Sequence, residues 1–170
     1  MAISSRGKVY ITDEKHLLDP GSNLVKDYVK VTSSGPKVTR SVVFGNPGRE
    51  RFAASLPLVS TLVTSAVFGQ VASNSTYFTG IAMLNPDETD VTATVDVYDR
   101  NGNLVRTTAE SIGAKRRVSK LVTQYFEDLV GQEIASGYIK VTVDKGVSSV
   151  ALFGTNDLSV LSAIPPQVIP

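Results

Sequence analysis

A five-residue segment occurs twice in this chain, and the similarity between the two places extends well beyond it. Tyr28–Thr32 reads YVKVT, and Tyr138–Thr142 reads YIKVT. The later matches are a Phe-Gly pair and an apolar-Pro ending, at Phe44-Gly45 and Leu56-Pro57 in the first copy and at Phe153-Gly154 and Ile164-Pro165 in the second. The offset between the copies drifts by single residues only, as expected for loop changes between copies of one fold unit. Repeats of this kind usually serve in arrays, which favours a building block over a catalyst.

The repeat predicts a domain organisation of one module and a half. Residues 58–170 are expected to form one complete repeat module. Residues 1–57 match only the second half of that module, so we expect them either to complete the same sandwich or to pack as a partial domain. A spare half module has strands without their usual partners, and an uncovered strand edge is a template for pairing with another chain.

Composition excludes several classes of protein. With 170 residues, the chain is long enough to bury roughly 70% of the surface that its unfolded form exposes. It contains no cysteine, which excludes disulfides, thiolate zinc sites and cysteine nucleophiles. The formal net charge is +1 with both signs interspersed, and no run approaches the roughly 20 apolar residues that cross a bilayer. We therefore predict no nucleic-acid partner and no membrane span.

Alternating polarity is the clearest local signal, and it is strongest at Thr92–Tyr98. The apolar side is predicted to consist of Val91, Ala93, Val95 and Val97, and the opposite side of Thr92, Thr94, Asp96 and Tyr98. The pair Asn101-Gly102 tolerates the positive φ angles of a type I′ turn, so Leu104–Ser111 is predicted to return antiparallel to this strand.

The rest of the chain predicts an all-β fold with one short helix. Further strands are predicted at Lys8–Thr12, Tyr28–Thr32, Thr39–Phe44, Arg51–Leu56, Thr64–Val71, Tyr77–Leu84, Lys115–Ser119, Tyr138–Val143, Val147–Phe153 and Leu158–Ile164. Apolar residues at helical spacing predict a helix at Lys120–Leu129, and a helical turn is expected around His16-Leu17-Leu18. Many short strands without a βαβ rhythm favour an antiparallel β-sandwich, immunoglobulin-like or related, with a β-barrel as the alternative.

Part of the sequence resembles a known kind of module. Thr76–Pro86 reads TYFTGIAMLNP and Val95–Asn103 reads VDVYDRNGN, and the match continues through Gly137–Val141 and Ala151–Gly154. Together these segments resemble a module repeated in large exported proteins of soil and sediment bacteria. The resemblance implies an extracellular or cell-surface chain built of β-sandwich repeats, with no activity assigned to the module. It carries over no catalytic residue and no cofactor. Met1–Lys8 lacks the apolar core of an export signal, so the expected location depends on the resemblance alone.

The single histidine, His16, is the first candidate for catalysis. Its neighbours in sequence are Asp13, Glu14, Lys15 and Asp19. A Ser-His-Asp arrangement needs a nucleophile held on a specific turn, and no G-x-S-x-G motif occurs in the chain. We predict an exposed, non-catalytic histidine and no enzyme activity. Hydrolysis is the least supported of the functions considered.

Acidic residues near two turns are the candidates for a metal site. They are Asp87, Glu88, Asp90, Asp96 and Asp99. Calcium takes about six to eight oxygen ligands, which loops at the end of a sandwich can supply. Gly102 comes too early for an EF-hand loop, and Asp96 belongs to a strand rather than to the turn. We therefore predict solvated turns and no metal.

The basic cluster Lys115-Arg116-Arg117, with Lys120 and Arg106, is the densest positive group. On a strand, Lys115 and Arg117 would share one face and Arg116 the other, so the patch is smaller than it looks in sequence. Protection of a strand edge is favoured over polyanion binding. Asn74-Ser75-Thr76 also fits the N-glycosylation pattern, which is informative only in a secretory context.

Aromatic residues are the candidates for sugar binding. The chain has no tryptophan, and most of its tyrosines and phenylalanines fall in strand signatures where burial is the simpler explanation. Tyr77 and Phe78 are adjacent, so only one of them can face the core. We predict that Tyr77 is the outward residue and a candidate ligand contact.

These observations favour a non-enzymatic structural, adhesion or assembly module of a bacterial extracellular protein. It would self-associate through strand pairing, as a homo-oligomer or a fibre. The alternative is a polysaccharide-binding accessory module of a secreted enzyme.

Overall fold

The computed structural model describes residues 2–11, 28–35, 38, 41–45, 53–57, 59 and 61–169. The chain divides into two compact units, Met1–Val31 and Thr32–Pro170. The predicted repeat boundary after Pro57 concerns sequence similarity, and it stays a prediction.

The described part of the first unit has no strand and no helix. A hydrogen bond from the Gly7 amide to the Ser4 carbonyl closes a turn (2.8 Å). The strand prediction is wrong for Lys8–Ile11 and for Tyr28–Thr32, which have no regular secondary structure. Alternating polarity is not sufficient for a strand, because a strand also needs a hydrogen-bonded neighbour. The helical turn predicted around His16 lies outside the described residues.

The second unit contains ten described strands and two short helical segments. The strands are β1 (Ser41–Gly45), β2 (Ala53–Pro57), β3 (Val63–Ser73), β4 (Tyr77–Leu84), β5 (Val91–Tyr98), β6 (Leu104–Ile112), β7 (Arg117–Leu121), β8 (Ile134–Thr155), β9 (Leu161–Ile164) and β10 (Gln167–Val168). Helix α1 (Val122–Tyr125) and a 3₁₀ turn (Glu127–Leu129) follow β7.

Two antiparallel sheets share strand β8. Sheet 1 has the order β10-β3-β8-β5-β6, and sheet 2 has the order β7-β4-β8-β9. Strands β1 and β2 form a separate hairpin. The described sheets do not close into a barrel, so the predicted antiparallel, sandwich-like all-β fold is confirmed and the barrel alternative is wrong.

Strand β8 is 22 residues long and passes from one sheet to the other. Its first half pairs with β3 and β5, and its second half pairs with β4 and β9. On β3 the partner changes from Thr142 at Ser65 to Val147 at Val63, so extra residues bulge out around Asp144–Gly146. The prediction of separate strands at Tyr138–Val143 and Val147–Phe153 is therefore wrong. The Asp-Lys-Gly sequence bends the strand without reversing it, as bulges at sandwich corners do.

The core lies between the two sheets and follows the predicted alternation. In β5 the predicted apolar face is fully buried. It packs with Phe68 of β3, Ile81 and Met83 of β4, and Ile139 and Val141 of β8. Tyr98 is half-buried on the opposite face, as predicted.

The helix is shorter than predicted, because its first residues belong to a strand. Leu121 pairs with Gly80 at the end of β7, so α1 begins only at Val122. Phe126, with φ −133°, interrupts the helix before the 3₁₀ turn. Val122, Phe126 and Leu129 are buried against the core, which accounts for the helical spacing in the sequence.

The β5–β6 hairpin is confirmed, but its turn type differs from the prediction. Gly102 has φ +83° and Asn101 does not have a positive φ, whereas a type I′ turn needs both. The Gly102 amide donates to the Asp99 carbonyl (3.1 Å), and the Asp99 amide donates to the Asn103 carbonyl (3.0 Å). This pattern is typical of a type I turn followed by a glycine bulge.

The β1–β2 hairpin has the same register as the hairpin formed by β8 and β9. Phe44 lies opposite Ala54, and Phe153 lies opposite Ser162. These are equivalent positions of the two sequence copies. Strand β2 also lies beside β9, although the two belong to separate sheets.

Candidate functional site

An open groove of about 600 Å³ lies on the outer face of sheet 1. The residues that line it come from β3, β8, the end of β5, the β5–β6 turn and the segment after β10. They are Val67, Gly69, Tyr98, Arg100, Ser136, Gly137, Tyr138, Lys140 and Ile169. We consider it the candidate functional site because it combines aromatic rings, cationic side chains and apolar walls.

Two stacked tyrosines form the centre of this groove. Tyr98 and Tyr138 lie directly opposite each other on β5 and β8. Their ring centres are 4.6 Å apart and their planes differ by 6°, and both residues are half-buried. Such cross-strand aromatic pairs stabilise a sheet and leave apolar ring surface available at its outer face.

Gly137 allows the two strands to approach this closely. A Cβ atom at Gly137 would lie 2.0 Å from the Tyr98 carbonyl oxygen and 3.0 Å from a Val71 methyl group. Any other residue would therefore push β5 away from β8. The glycine before Tyr138 thus has a packing cause, and it is not part of the repeat, since Asp27 precedes Tyr28 in the other copy.

The charges in the groove are cationic. Lys140 and Arg100 line it, and no carboxylate does. Asp96 lies opposite Lys140 in the β5–β8 register, outside the groove lining. The positive charge is therefore local and does not extend along the sheet.

The predicted contact residue Tyr77 lies in sheet 2 and outside this groove. The prediction that Tyr77 is the outward residue is wrong: it shares the core-facing side of β4 with Thr79, and it is 39% exposed because it lies at the strand end. Its ring stacks on Phe153, with ring centres 5.3 Å apart. Phe78 points to the outer face and packs on Gly154, where a Cβ atom would lie 2.9 Å from the ring. A ligand contact at Tyr77 stays a prediction.

The acidic candidates serve turns. One Asp99 oxygen accepts hydrogen bonds from the amides of Asn101 and Asn103 (2.8 and 2.9 Å). The Asp87 carboxylate accepts from the amides of Glu88 and Thr89 (2.6 and 3.3 Å). Hydrogen bonds with Asn103 lower the pKa of Asp99, and those from Glu88 and Thr89 lower the pKa of Asp87.

Two further acidic candidates take different places. Asp90 accepts from the Ala114 amide (2.9 Å), and Asp96 lies on β5. Among the residues that the structure describes, no group of three or more histidine, cysteine, aspartate or glutamate side chains is arranged to hold a metal.

The basic cluster is spread over several partners. Lys115 lies in the turn before β7, with φ 57°, so the prediction that it shares a strand face with Arg117 is wrong. Its ammonium group lies 2.8 Å from Glu88 and 2.6 Å from the Pro86 carbonyl. Lys120 pairs with Glu110 (2.6 Å).

Two further candidates have no place in the groove. In the glycosylation sequence, the Asn74 side-chain oxygen accepts from the amides of Thr76 and Tyr77 (both 2.8 Å), so this asparagine forms the β3–β4 turn. His16 lies outside the described residues. No helix in the described part of the chain has the length and apolar character needed to cross a membrane.

The groove itself was not predicted. Alternation placed Tyr98 on the outer face, but Tyr138 lies 40 positions later and the sequence gives no sign that the two strands are neighbours. The only available signal was the repeat, in which Tyr28 and Lys30 correspond to Tyr138 and Lys140.

Comparison with known proteins gives no match for this chain, whether with family models, curated proteins or solved structures.

Proposed function

We propose that this protein is a non-enzymatic structural module that self-associates through the edge of strand β1. The observation that carries the proposal is the equal register of the β1–β2 and β8–β9 hairpins. It supports the view that residues up to Pro57 repeat the second half of the module.

The equivalent strand of the complete module has neighbours on both edges. The second half of β8 pairs with β9 on one edge and with β4 on the other. Among the described strands, β1 pairs with β2 alone. Its outer edge therefore offers backbone donors and acceptors to an incoming strand.

The composition of β1 also favours pairing. Ser41–Gly45 reads SVVFG and carries no charge, and Val43 is 67% exposed. Natural edge strands are usually protected by charges or proline. Strand β6 has this protection, since Arg106 and Glu110 form ion pairs with Asp128 and Lys120, both at 2.6 Å.

The form of the assembly, a closed dimer or an open fibre, depends on the strand edge with which β1 pairs. Pairing of two β1 strands closes a twofold dimer, whereas addition of β1 to a different edge gives an open fibre. The resemblance to exported repeat proteins supports a place in a tandem array at the cell surface, where such contacts serve assembly or adhesion.

The test is a charge placed on the exposed edge. We expect Val43→Lys to convert a concentration-dependent oligomer to a monomer in light scattering, with the free energy of unfolding changed by less than about 1 kcal/mol. Val130→Lys is the matched control, because Val130 is 65% exposed in the loop after the 3₁₀ turn. A wild-type protein that stays monomeric at all concentrations would disprove assembly through β1.

A second candidate is the polysaccharide-binding module, and a separate observation favours it. The groove beside Tyr98 and Tyr138 joins aromatic surface to cationic groups, as sugar-binding sites do. The predicted contact Tyr77 provides a comparison. Binding that is lost in Tyr77→Ala and kept in Tyr138→Ala would assign the sugar to sheet 2.

A further inference from the structure

The stacked pair Tyr98–Tyr138 on the outer face of sheet 1 is bordered by strand β3. In the pairing of β3 with β8, Phe68 lies opposite Ile139 and Val71 lies opposite Gly137. Two residues of β3, Gly69 and Gln70, therefore lie opposite the single residue Tyr138 and form a bulge. Gly69 lines the groove with Tyr138, and a Cβ atom built on it has no heavy atom within 4 Å. Gly69 therefore places no side chain beside Tyr138, and Gln70, the other residue of the bulge, is exposed and does not line the groove.

This open position has the surroundings of a ring-binding subsite. Tyr138 provides aromatic surface for stacking, and Val67 and Ile169 add apolar walls. A six-membered sugar ring stacks on such a surface through its C–H face and keeps its hydroxyl groups in water.

The cations define which sugar fits. Lys140 and Arg100 line the same groove without a carboxylate among the lining residues. A sugar with one carboxylate on each ring meets this arrangement with one charge-assisted contact per ring. A nucleic acid needs a continuous cationic track for its phosphates, and here Asp96 and Asp99 adjoin the two cations in the strand register and the sequence.

The repeat provides an independent observation. In β8 the outward residues are Tyr138, Lys140 and Thr142, and the core-facing Ile139 and Val141 alternate with them. The outward residues are identical in the other copy, at Tyr28, Lys30 and Thr32, and of the two core residues Val141 corresponds to Val31 and Ile139 to Val29. Packing of the core gives no reason for this identity on the outer face.

We propose that the groove binds a uronic-acid residue of an acidic polysaccharide. The sugar ring stacks on Tyr138 above Gly69, and its carboxylate pairs with Lys140. Arg100, beyond Tyr98 at the other end of the tyrosine pair, meets the carboxylate of a neighbouring ring. This inference rests on the second candidate function, for which it names the substrate class, and it does not depend on assembly through the β1 edge.

The first test is titration calorimetry with tetragalacturonate. Cellotetraose is the neutral comparison, and an oligothymidylate is the nucleic-acid comparison. We expect tetragalacturonate to bind about tenfold more tightly than cellotetraose, since charge-assisted contacts are lost with the neutral sugar. Equal binding of the neutral sugar, tighter binding of the oligothymidylate, or no binding of tetragalacturonate would each overturn the proposal.

The second test fills the open position. Gly69→Leu adds a side chain where Tyr138 would hold the ring, and we expect it to weaken tetragalacturonate binding at least about tenfold without loss of folding. Gly35→Leu is the control, because Gly35 also has nothing within 4 Å of a built Cβ atom. Unchanged affinity in Gly69→Leu would place the sugar elsewhere and overturn the proposal.

The charge and the assembly role are tested separately. Lys140→Ala should weaken tetragalacturonate about tenfold and leave any cellotetraose affinity unchanged. Val43→Lys should bind tetragalacturonate as the wild type does, whether or not it changes the oligomeric state. An equal loss for both sugars in Lys140→Ala would contradict the carboxylate contact.

Discussion

Asn85 is a buried polar residue at which a single substitution should strongly destabilise this fold. Its side chain is fully buried. The amide nitrogen donates to the carbonyls of Thr89, Ile112 and Gly113 (2.8, 3.0 and 3.1 Å), and the side-chain oxygen accepts from the Asp87 amide (2.9 Å). One side chain thereby joins the β4–β5 turn to the β6–β7 turn.

The expected loss in the free energy of unfolding follows from these four hydrogen bonds. A neutral hydrogen bond contributes about 1 kcal/mol net, and a buried group left without a partner costs about 1–3 kcal/mol. We therefore expect Asn85→Ala to lower the free energy of unfolding by about 3–5 kcal/mol, a large part of the stability of an ordinary domain.

Asn85→Asp tests the role of the amide as a hydrogen-bond donor. A carboxylate has no proton to donate, and it would face three carbonyl oxygens in a buried place, so the pKa of this carboxyl should be raised in the folded state. The variant should be most stable below the unfolded pKa of about 4, and its stability should fall as pH rises above that value.

Urea unfolding followed by circular dichroism and by tyrosine fluorescence measures these effects, since the chain has 6 tyrosines and no tryptophan. Asn156→Ala is the control, because Asn156 also donates two side-chain bonds, to the carbonyls of Asn74 and Ser75 (both 3.0 Å), but at an exposed turn. We expect it to lose less than about 1 kcal/mol. Equal losses in Asn85→Ala and Asn156→Ala would refute the reasoning.

Two further predictions concern packing and ionisation. Gly137→Ala places a methyl group against the Tyr98 carbonyl and should lower the melting temperature, whereas Gly69→Ala should leave it nearly unchanged; equal melting temperatures would contradict the close approach of the strands. Burial, and to a smaller extent Glu110, raises the pKa of Tyr125 above its usual 10.0. The contribution of the neutral Tyr125 to the free energy of unfolding should therefore be fully present below pH 10 and be lost as pH rises further. Ultraviolet titration should show a lower Tyr125 pKa in Glu110→Ala, and an unchanged titration would argue against this electrostatic effect.

Local pattern predicted much of the sandwich. The alternation in β5 assigned its buried and outer faces, because a strand turns successive side chains to opposite sides. The bounds of β4 agree with the prediction at Tyr77–Leu84. In β5 the sequence within a few residues contains all the information that the face assignment needs, whereas in β4 Tyr77, predicted to face outward, lies on the core-facing side.

Other features depended on distant partners. Asp144–Gly146 has the composition of a turn, yet β8 continues through it because different strands pair with its two halves. Asn85 follows the end of β4 and comes directly before a Pro-Asp pair, and only its contacts with Ile112 and Gly113 explain its burial. Leu121 has helical spacing, but pairing with Gly80 keeps it in β7.

The sequence by itself determined the buried and outer faces of β5 and the bounds of β4, and it shows the similarity between Tyr28–Thr32 and Tyr138–Thr142. The tertiary structure alone decided that β5 and β3 flank β8, and with that pairing the positions of Tyr98 and Gly69 on either side of Tyr138. Alternation sets the side to which a side chain points, since it follows from the backbone of one strand. It cannot choose the neighbouring strand, because that choice depends on how all the buried faces pack together.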